Sequence, residues 1–149
     1  MRLVIQRVRE ASVTVDKTKI SQIANGLLIF LGIGKKDTDA DVHYLVDKTL
    51  NLRIFEDADG KMNLSLLDVK GEILVVSQFT LYGDTRKGRR PSFFDSMEPK
   101  LAELVYAHFI SELKKSGLSV KEGQFGAMMH VSLINDGPVT FLVDSEKRL

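Results

Sequence analysis

The sequence predicts an α/β protein: a mixed or antiparallel β-sheet backed by two main helices. Three observations carry this. Residues 27–33 are almost uniformly apolar, as a strand covered on both faces would be. Two longer segments repeat apolar side chains at helical spacing: Val42, Leu45, Val46 and Leu50 in the first, and Leu101, Leu104, Val105, Phe109 and Leu113 in the second. The remaining apolar runs are short, several alternate, and they come before, between and after the helices. The order does not alternate regularly and has no Gly-rich first turn, so it is not that of a doubly wound dinucleotide fold.

Taken in order, residues 1–8 alternate, with Leu3, Ile5 and Arg7 on one face of a strand. An inward arginine is expensive unless its donors are used, and its five N–H groups can hold backbone carbonyls. The other reading of Arg7 is an edge-strand charge that returns to water. Residues 11–15 read as a second strand and 26–34 as a buried one. Asp37, Thr38 and Asp39 offer N-caps to the first helix. Residues 56–60 carry turn chemistry without the longer oxygen pattern of a calcium loop. A buried strand at 72–79 leads to a basic loop at 85–91. The second helix, 97–115, has His108 on its apolar stripe, where it reads as a core histidine, and Gly117 follows its end. The last strands are 118–122, 129–134 and 139–144. Between the final two, Asn135-Asp136-Gly137-Pro138 reads as a hairpin turn, with Pro138 opening the next strand. The alternative is that Gly137-Pro138 presents backbone to a ligand, since Gly permits close approach and Pro fixes the direction of its carbonyl.

The chain of 149 residues reads as one domain, 1–149, and its 44% hydrophobic and 28% charged residues suit an ordinary globule with its own core. The absence of cysteine excludes a disulfide framework, a thiolate nucleophile and a Cys-ligated zinc, and suits a reducing cytoplasm. No signal-peptide pattern opens the chain, and the longest apolar run is too short to span a bilayer, so no membrane partner is expected. A net charge of +1 gives no global field to recruit nucleic acid. A local patch remains: Arg86, Lys87, Arg89 and Arg90, which also reads as a solvated loop.

Chemistry is concentrated where the strand at 72–79 ends in hydroxyl and amide groups. Gln78 can donate to a developing oxyanion, as can the N–H groups of Phe79 and Thr80 where the ladder stops. Ser77 or Thr80 is a nucleophile only with a base nearby. His43 sits in the first helix, and His108 and His130 read as structural. The chain has no Gly-x-Ser-x-Gly elbow, zincin helix or P-loop, so neither a metal nor a cofactor is expected.

Ser77-Gln78-Phe79-Thr80-Leu81 together with Asn135-Asp136-Gly137-Pro138-Val139-Thr140 resembles the paired signature of the D-aminoacyl-tRNA deacylases, also called D-tyrosyl-tRNA deacylases. The resemblance runs end to end, through residues 1–8, the strand at 26–34 and Phe125-Gly126-Ala127-Met128-Met129. Ser77-Gln78 at the start of the first motif favours the bacterial-type branch over a paralogous animal branch with a different opening there. The resemblance implies a barrel-like sheet and a homodimer whose active site forms at the subunit interface. It implies a substrate, the aminoacylated 3′ end of D-aminoacyl-tRNA, and a cis Gly137-Pro138 bond acting as a chiral filter supported by Arg7. Met129 and Asn135 would lie beside the substrate. Gln78 and the backbone at Phe79 would sit near the ester carbonyl, with Ser77 and Thr80 in support and the ribose 2′-OH helping to activate water. Arg86, Lys87, Arg89 and Arg90 would meet tRNA phosphates, and mischarged glycyl-tRNA would be a further substrate. Two other classes stay open on the residues: a nucleic-acid-binding module using the basic loop, and a small-ester or peptide hydrolase using Thr80 or Ser77.

Overall fold

The computed structural model describes residues 1–148. Its frame is a six-stranded mixed sheet. Strand β1 (Arg2–Val15) runs unbroken through the segments expected as two strands, although the inward alternation lapses at residues 7–10, where its pairing with the last strand of the chain shifts register. A turn at Asp16 and Lys17, both at positive φ (46° and 66°), returns the chain as β2 (Thr18–Ile23). Two successive positive φ values match the right-handed twist of a tight hairpin. Then come β3 (Gly26–Gly32), helix α1 (Asp39–Asn51), a small hairpin of β4 (Phe55–Glu56) and β5 (Met62–Leu64), and a single turn, α2 (Leu66–Val69). Strand β6 (Glu72–Ser77) is followed by a 3-10 turn at Phe79–Tyr82, helix α3 (Pro99–Lys114), β7 (Val120–Glu122) and β8 (His130–Asp144).

The first half of β1 pairs antiparallel with β3 and its second half with β2, while β8 pairs along nearly all of its other edge. β3, β6 and β7 continue the sheet in parallel. β2 also curls against β6 and β7, so the sheet is nearly closed into a barrel. Gly26 makes the β3–β6 approach possible: a Cβ there would lie 1.9 Å from the Glu72 carbonyl oxygen.

Two apolar clusters fill the two faces. Leu3, Ile5, Leu27, Ile29, Leu31, Ile73 and Val75 pack under α1 and α3. Val8, Ala11, Val13, Ile23, Leu28, Leu74 and Val76 fill the barrel interior. β3 is covered on both sides, as its unbroken apolar run requires. Pro99 at the first position of α3 suits its missing N–H, and the Glu98 side chain accepts from the Leu101 N–H at 3.2 Å. The buried face of α3 is Ala102, Tyr106, Phe109, Ile110 and Leu113, while Leu101 and Leu104 face solvent. His108 is half-buried at the edge of that face and paired with Asp39, so it is not a core histidine. The helix is rotated from the expected stripe because the Tyr106 hydroxyl reaches the buried Val75 carbonyl at 2.8 Å. No helix among the described residues is long and apolar enough to cross a membrane.

Candidate active site

The expected final hairpin does not exist. Residues 130–144 form one strand running a single direction along β1, with Gln6 opposite Thr140 and Val8 opposite Asn135. Four residues, Asp136, Gly137, Pro138 and Val139, therefore bulge out opposite Arg7 alone. The two halves stay collinear because both keep pairing with β1, which overrides the turn preference of Asp-Gly. The Gly137-Pro138 peptide bond is cis, and both residues are exposed.

The bulge is held from below and at its base. Arg7 is only 6% exposed, and the inward reading of this arginine is the right one. Its Nε donates to the Asp136 carbonyl and its Nη1 to the Ile54 carbonyl, both at 2.9 Å. Its charge faces Glu56 at 3.6 Å and the Asp136 carboxylate at 3.8 Å. Asn135 closes the base: its Oδ1 accepts from the Val139 N–H at 2.7 Å and its Nδ2 donates to the Val139 carbonyl at 3.2 Å. Gly137 has φ +146°, and a Cβ there would lie 2.7 Å from the Val139 side chain and 3.3 Å from Arg7 Nη2. A side chain at 137 is thus disfavoured by both conformation and space. The parts played by Ile54, Glu56 and the Asp136 carbonyl escape sequence reasoning, since nothing local marks a carbonyl as an arginine acceptor.

The second group sits at the end of β6. The strand stops at Ser77, earlier than expected, because the Gln78 N–H still bonds to the Leu31 carbonyl at 2.8 Å and the chain then coils into the 3-10 turn. The first N–H groups of such a turn have no partner within it, and among the described residues those of Phe79 and Thr80 meet no backbone acceptor. Gln78 Nε2 donates to Thr80 Oγ1 at 2.5 Å, leaving its second N–H available. Among the described residues no histidine or carboxylate hydrogen-bonds to Ser77 or Thr80, so neither hydroxyl has a base to activate it. Phe79 is exposed and meets Phe93 edge-on with ring centroids 4.9 Å apart. Met129 packs against Gly123 and the barrel-interior cluster that holds Val76, two residues before Gln78.

The register separates the two groups. Arg7 lies opposite Leu27, whereas Gln78 is bonded to Leu31 at the other end of β3. Four residues of strand are about 13 Å. A cleft of about 370 Å³ lies beside the 3-10 turn, lined by Arg2, Lys35, Tyr82, Asp84 and Arg86 among others. Another, of about 470 Å³, lies under the bulge and includes Arg7, Asn25, Phe55 and Asp136. Neither is lined by residues of both groups.

The basic loop is exposed. Arg86 is committed to Asp84 through a two-point pair at 2.9 and 2.8 Å, and its side-chain and backbone N–H bonds hold the Asp84 carboxyl well below the usual carboxylate range. Lys87, Arg89 and Arg90 project outward.

A barrel-like mixed sheet with an arginine-held Gly-Pro bulge, and a polar strand end without a nucleophile–base pair, defines the class. A family model described as D-Tyr-tRNA(Tyr) deacylase matches residues 4–144, and the chain belongs to that family. Among curated relatives, a D-aminoacyl-tRNA deacylase from Halothermothrix orenii is 62% identical over 99% of both chains. One from Thermosipho africanus is 57% identical, again over 99% of both. Among solved structures, one named c-Myc DNA Unwinding Element Binding Protein superposes with a TM-score of 0.91 at 44% identity, covering 97% of this chain and 98% of its own. A probable eukaryotic D-amino acid tRNA deacylase at 18% identity shares the fold, with a TM-score of 0.83 over 95% of this chain and 97% of its own.

Proposed function

We propose that this chain hydrolyses the ester bond of D-aminoacyl-tRNA, releasing free D-amino acid and tRNA, and treats mischarged glycyl-tRNA in the same way. Family membership over nearly the whole chain supports the reaction. The observation that carries the specificity is the exposed Gly137-Pro138 bulge, held by Arg7 and Asn135. In this reading its carbonyls face the substrate Cα. They admit the hydrogen of a D-residue or glycine and clash with the Cβ that an L-residue would place there. Every amino acid has an amino group and a Cα hydrogen, so a backbone filter is blind to side-chain identity, and a steric clash rejects more strongly than a missing contact would.

The chemistry needs no protein nucleophile. Water attacks the ester carbonyl, the tetrahedral oxyanion is met by the Phe79 and Thr80 N–H groups and the second N–H of the Gln78 side-chain amide, and the ribose oxygen leaves with a proton. The substrate's 2′-OH takes part in activating the water. Thr80, bonded to Gln78, keeps that amide in position, with Ser77 and Met129 in supporting roles. Because the bulge and the 3-10 turn lie at opposite ends of β3, a complete site needs the bulge of a second copy, which makes a homodimer the working unit. Exposed Ile134, Phe141 and Leu142 flank the bulge and supply an apolar surface for that partner. Lys87, Arg89 and Arg90, with Arg86, meet acceptor-stem phosphates, a salt-sensitive and sequence-blind contact. A tRNA substrate places the protein in the cytoplasm.

The test is single-turnover hydrolysis of D-tyrosyl-tRNA. Gln78→Ala lowers the rate, Thr80→Ala lowers it less, and a substrate ending in 2′-deoxyadenosine is turned over far more slowly than its ribose counterpart. Loss of all activity in Thr80→Ala with a trappable acyl-enzyme would replace this mechanism with a nucleophilic one. A second reading is a DNA-binding module. It draws on the basic loop and on the solved relative at 44% identity, which is named for binding a DNA unwinding element. Duplex binding of equal strength by a chain that leaves D-tyrosyl-tRNA intact would favour it.

A further inference from the structure

α1 and α3 meet at a side-chain cluster that the deacylase reading does not use. Asp39 and His43 stand one turn apart on α1, and His108 and Glu112 one turn apart on α3. His108 Nε2 lies 2.6 Å from one Asp39 carboxylate oxygen, and His43 Nε2 lies 3.1 Å from the other. The two Nε2 atoms therefore converge on one carboxylate from two different helices. Their Nδ1 atoms face Glu112, each 3.8 Å from one of its oxygens. The rings stand 5.9 Å apart, nearly perpendicular at 86°. One ligand atom from each of Asp39, His43 and His108 falls within 4.8 Å of the other two.

We propose that Asp39, His43 and His108 form a binding site for a divalent transition-metal ion, which clamps α1 to α3. Two imidazoles and one carboxylate suit Zn²⁺, Co²⁺, Ni²⁺ or Cu²⁺, not the all-oxygen shells that Mg²⁺ and Ca²⁺ prefer. Bonds of about 2.0–2.2 Å in a tetrahedral shell put ligand atoms roughly 3.4 Å apart, so the Asp39 oxygens, now 2.6 and 3.1 Å from the two Nε2 atoms, draw back slightly to admit the ion. Water takes the fourth position. Glu112 stands where a backing carboxylate belongs: 3.8 Å from each Nδ1, it is placed to close on their N–H groups and leave the Nε2 lone pairs free for the metal. Lys115 Nζ, 2.6 Å from Glu112, balances that charge. Spacing along the sequence hides the site, because neither helix carries three ligands by itself. The ion releases protons on binding, since both imidazoles must be neutral, and acid weakens it.

The test is calorimetric titration of ZnCl₂ into the full, tag-free chain after chelator treatment and dialysis. The expected result is saturable binding of one equivalent, with a rise in Tm. The side chains of His43 and His108 are 55% and 40% exposed, so the doubly substituted His43→Ala/His108→Ala chain keeps its circular dichroism. It loses the binding at least tenfold, while Glu112→Gln weakens it about tenfold. With Co²⁺, the wild-type chain develops intense visible ligand-field absorption that the double variant lacks, and Mg²⁺ gives no heat. No saturable heat with Zn²⁺, or equal stoichiometry and affinity in the double variant, overturns the proposal and leaves the cluster a set of surface ion pairs.

Discussion

At the scale of the residue, Arg7 links sequence to site. Alternation in β1 turns it inward, where an unpartnered guanidinium would be costly. Its use is as a fork: two donors aimed at two carbonyls, those of Asp136 and Ile54, from segments far apart in the chain. The direction of Arg7 was legible in the spacing of Leu3, Ile5 and Arg7. Its acceptors were not, because any carbonyl can accept and only the folded register selects these two. Lysine keeps the charge but not the planar fork. Arg7→Lys is therefore expected to destabilise the fold by about 1–3 kcal/mol, the usual penalty for a buried polar group left unpaired. Urea denaturation measures this. The same variant is expected to narrow the gap between D- and L-ester hydrolysis, because the bulge loses its anchor.

At the scale of the element, two features show how local signals are overruled. Asp136-Gly137 has the composition of a hairpin turn, yet β8 passes through it as a bulge because pairing with β1 resumes at Thr140 in the same direction. Whether a chain reverses at such a dipeptide depends on which strand its second half meets, and that partner is more than a hundred residues away. Helix α3 carries two overlapping apolar stripes. The one holding Leu101 and Leu104 faces water, and the one holding Ala102, Tyr106 and Phe109 faces the sheet. A small residue at 102 and a hydroxyl able to reach Val75 decide the rotation, and neither weighs in a count of hydrophobic spacing. Tyr106→Phe, which removes a buried hydrogen bond, is expected to lower stability by about 0.5–1.5 kcal/mol. Leu104→Ala, on the exposed face, is expected to stay within about 0.5 kcal/mol of wild type. Denaturation of the two variants side by side checks the assignment, and the reverse order would mean the helix packs on its other stripe.

At the scale of the whole molecule, strand order governs what one copy can do. β3 was plain in the sequence as a strand covered on both faces, and the polar strand end at Ser77–Thr80 stood out by composition. That the two signature stretches fall at opposite ends of β3 needed the register. The homodimer reading makes a specific demand on mixtures. When Gln78→Ala and Gly137→Ala chains are unfolded together and refolded, half of the dimers are mixed, and each holds one intact composite site. About a quarter of wild-type D-ester activity should return. Mixed dimers of wild type with the doubly substituted Gln78→Ala/Gly137→Ala chain hold no intact site and should add nothing. If each chain carries its own complete site, the first mixture stays inactive and the second pair behaves additively.

The central claim is that a backbone bulge selects the hand of an ester that water then cleaves. The most direct measurement compares the release of D-tyrosine and L-tyrosine from their tRNA esters by the purified protein under identical conditions. Rapid loss of the D-ester with the L-ester left intact is the predicted result. Cleavage of both at similar rates would contradict the filter at Gly137-Pro138, and cleavage of neither would contradict the hydrolytic reading itself.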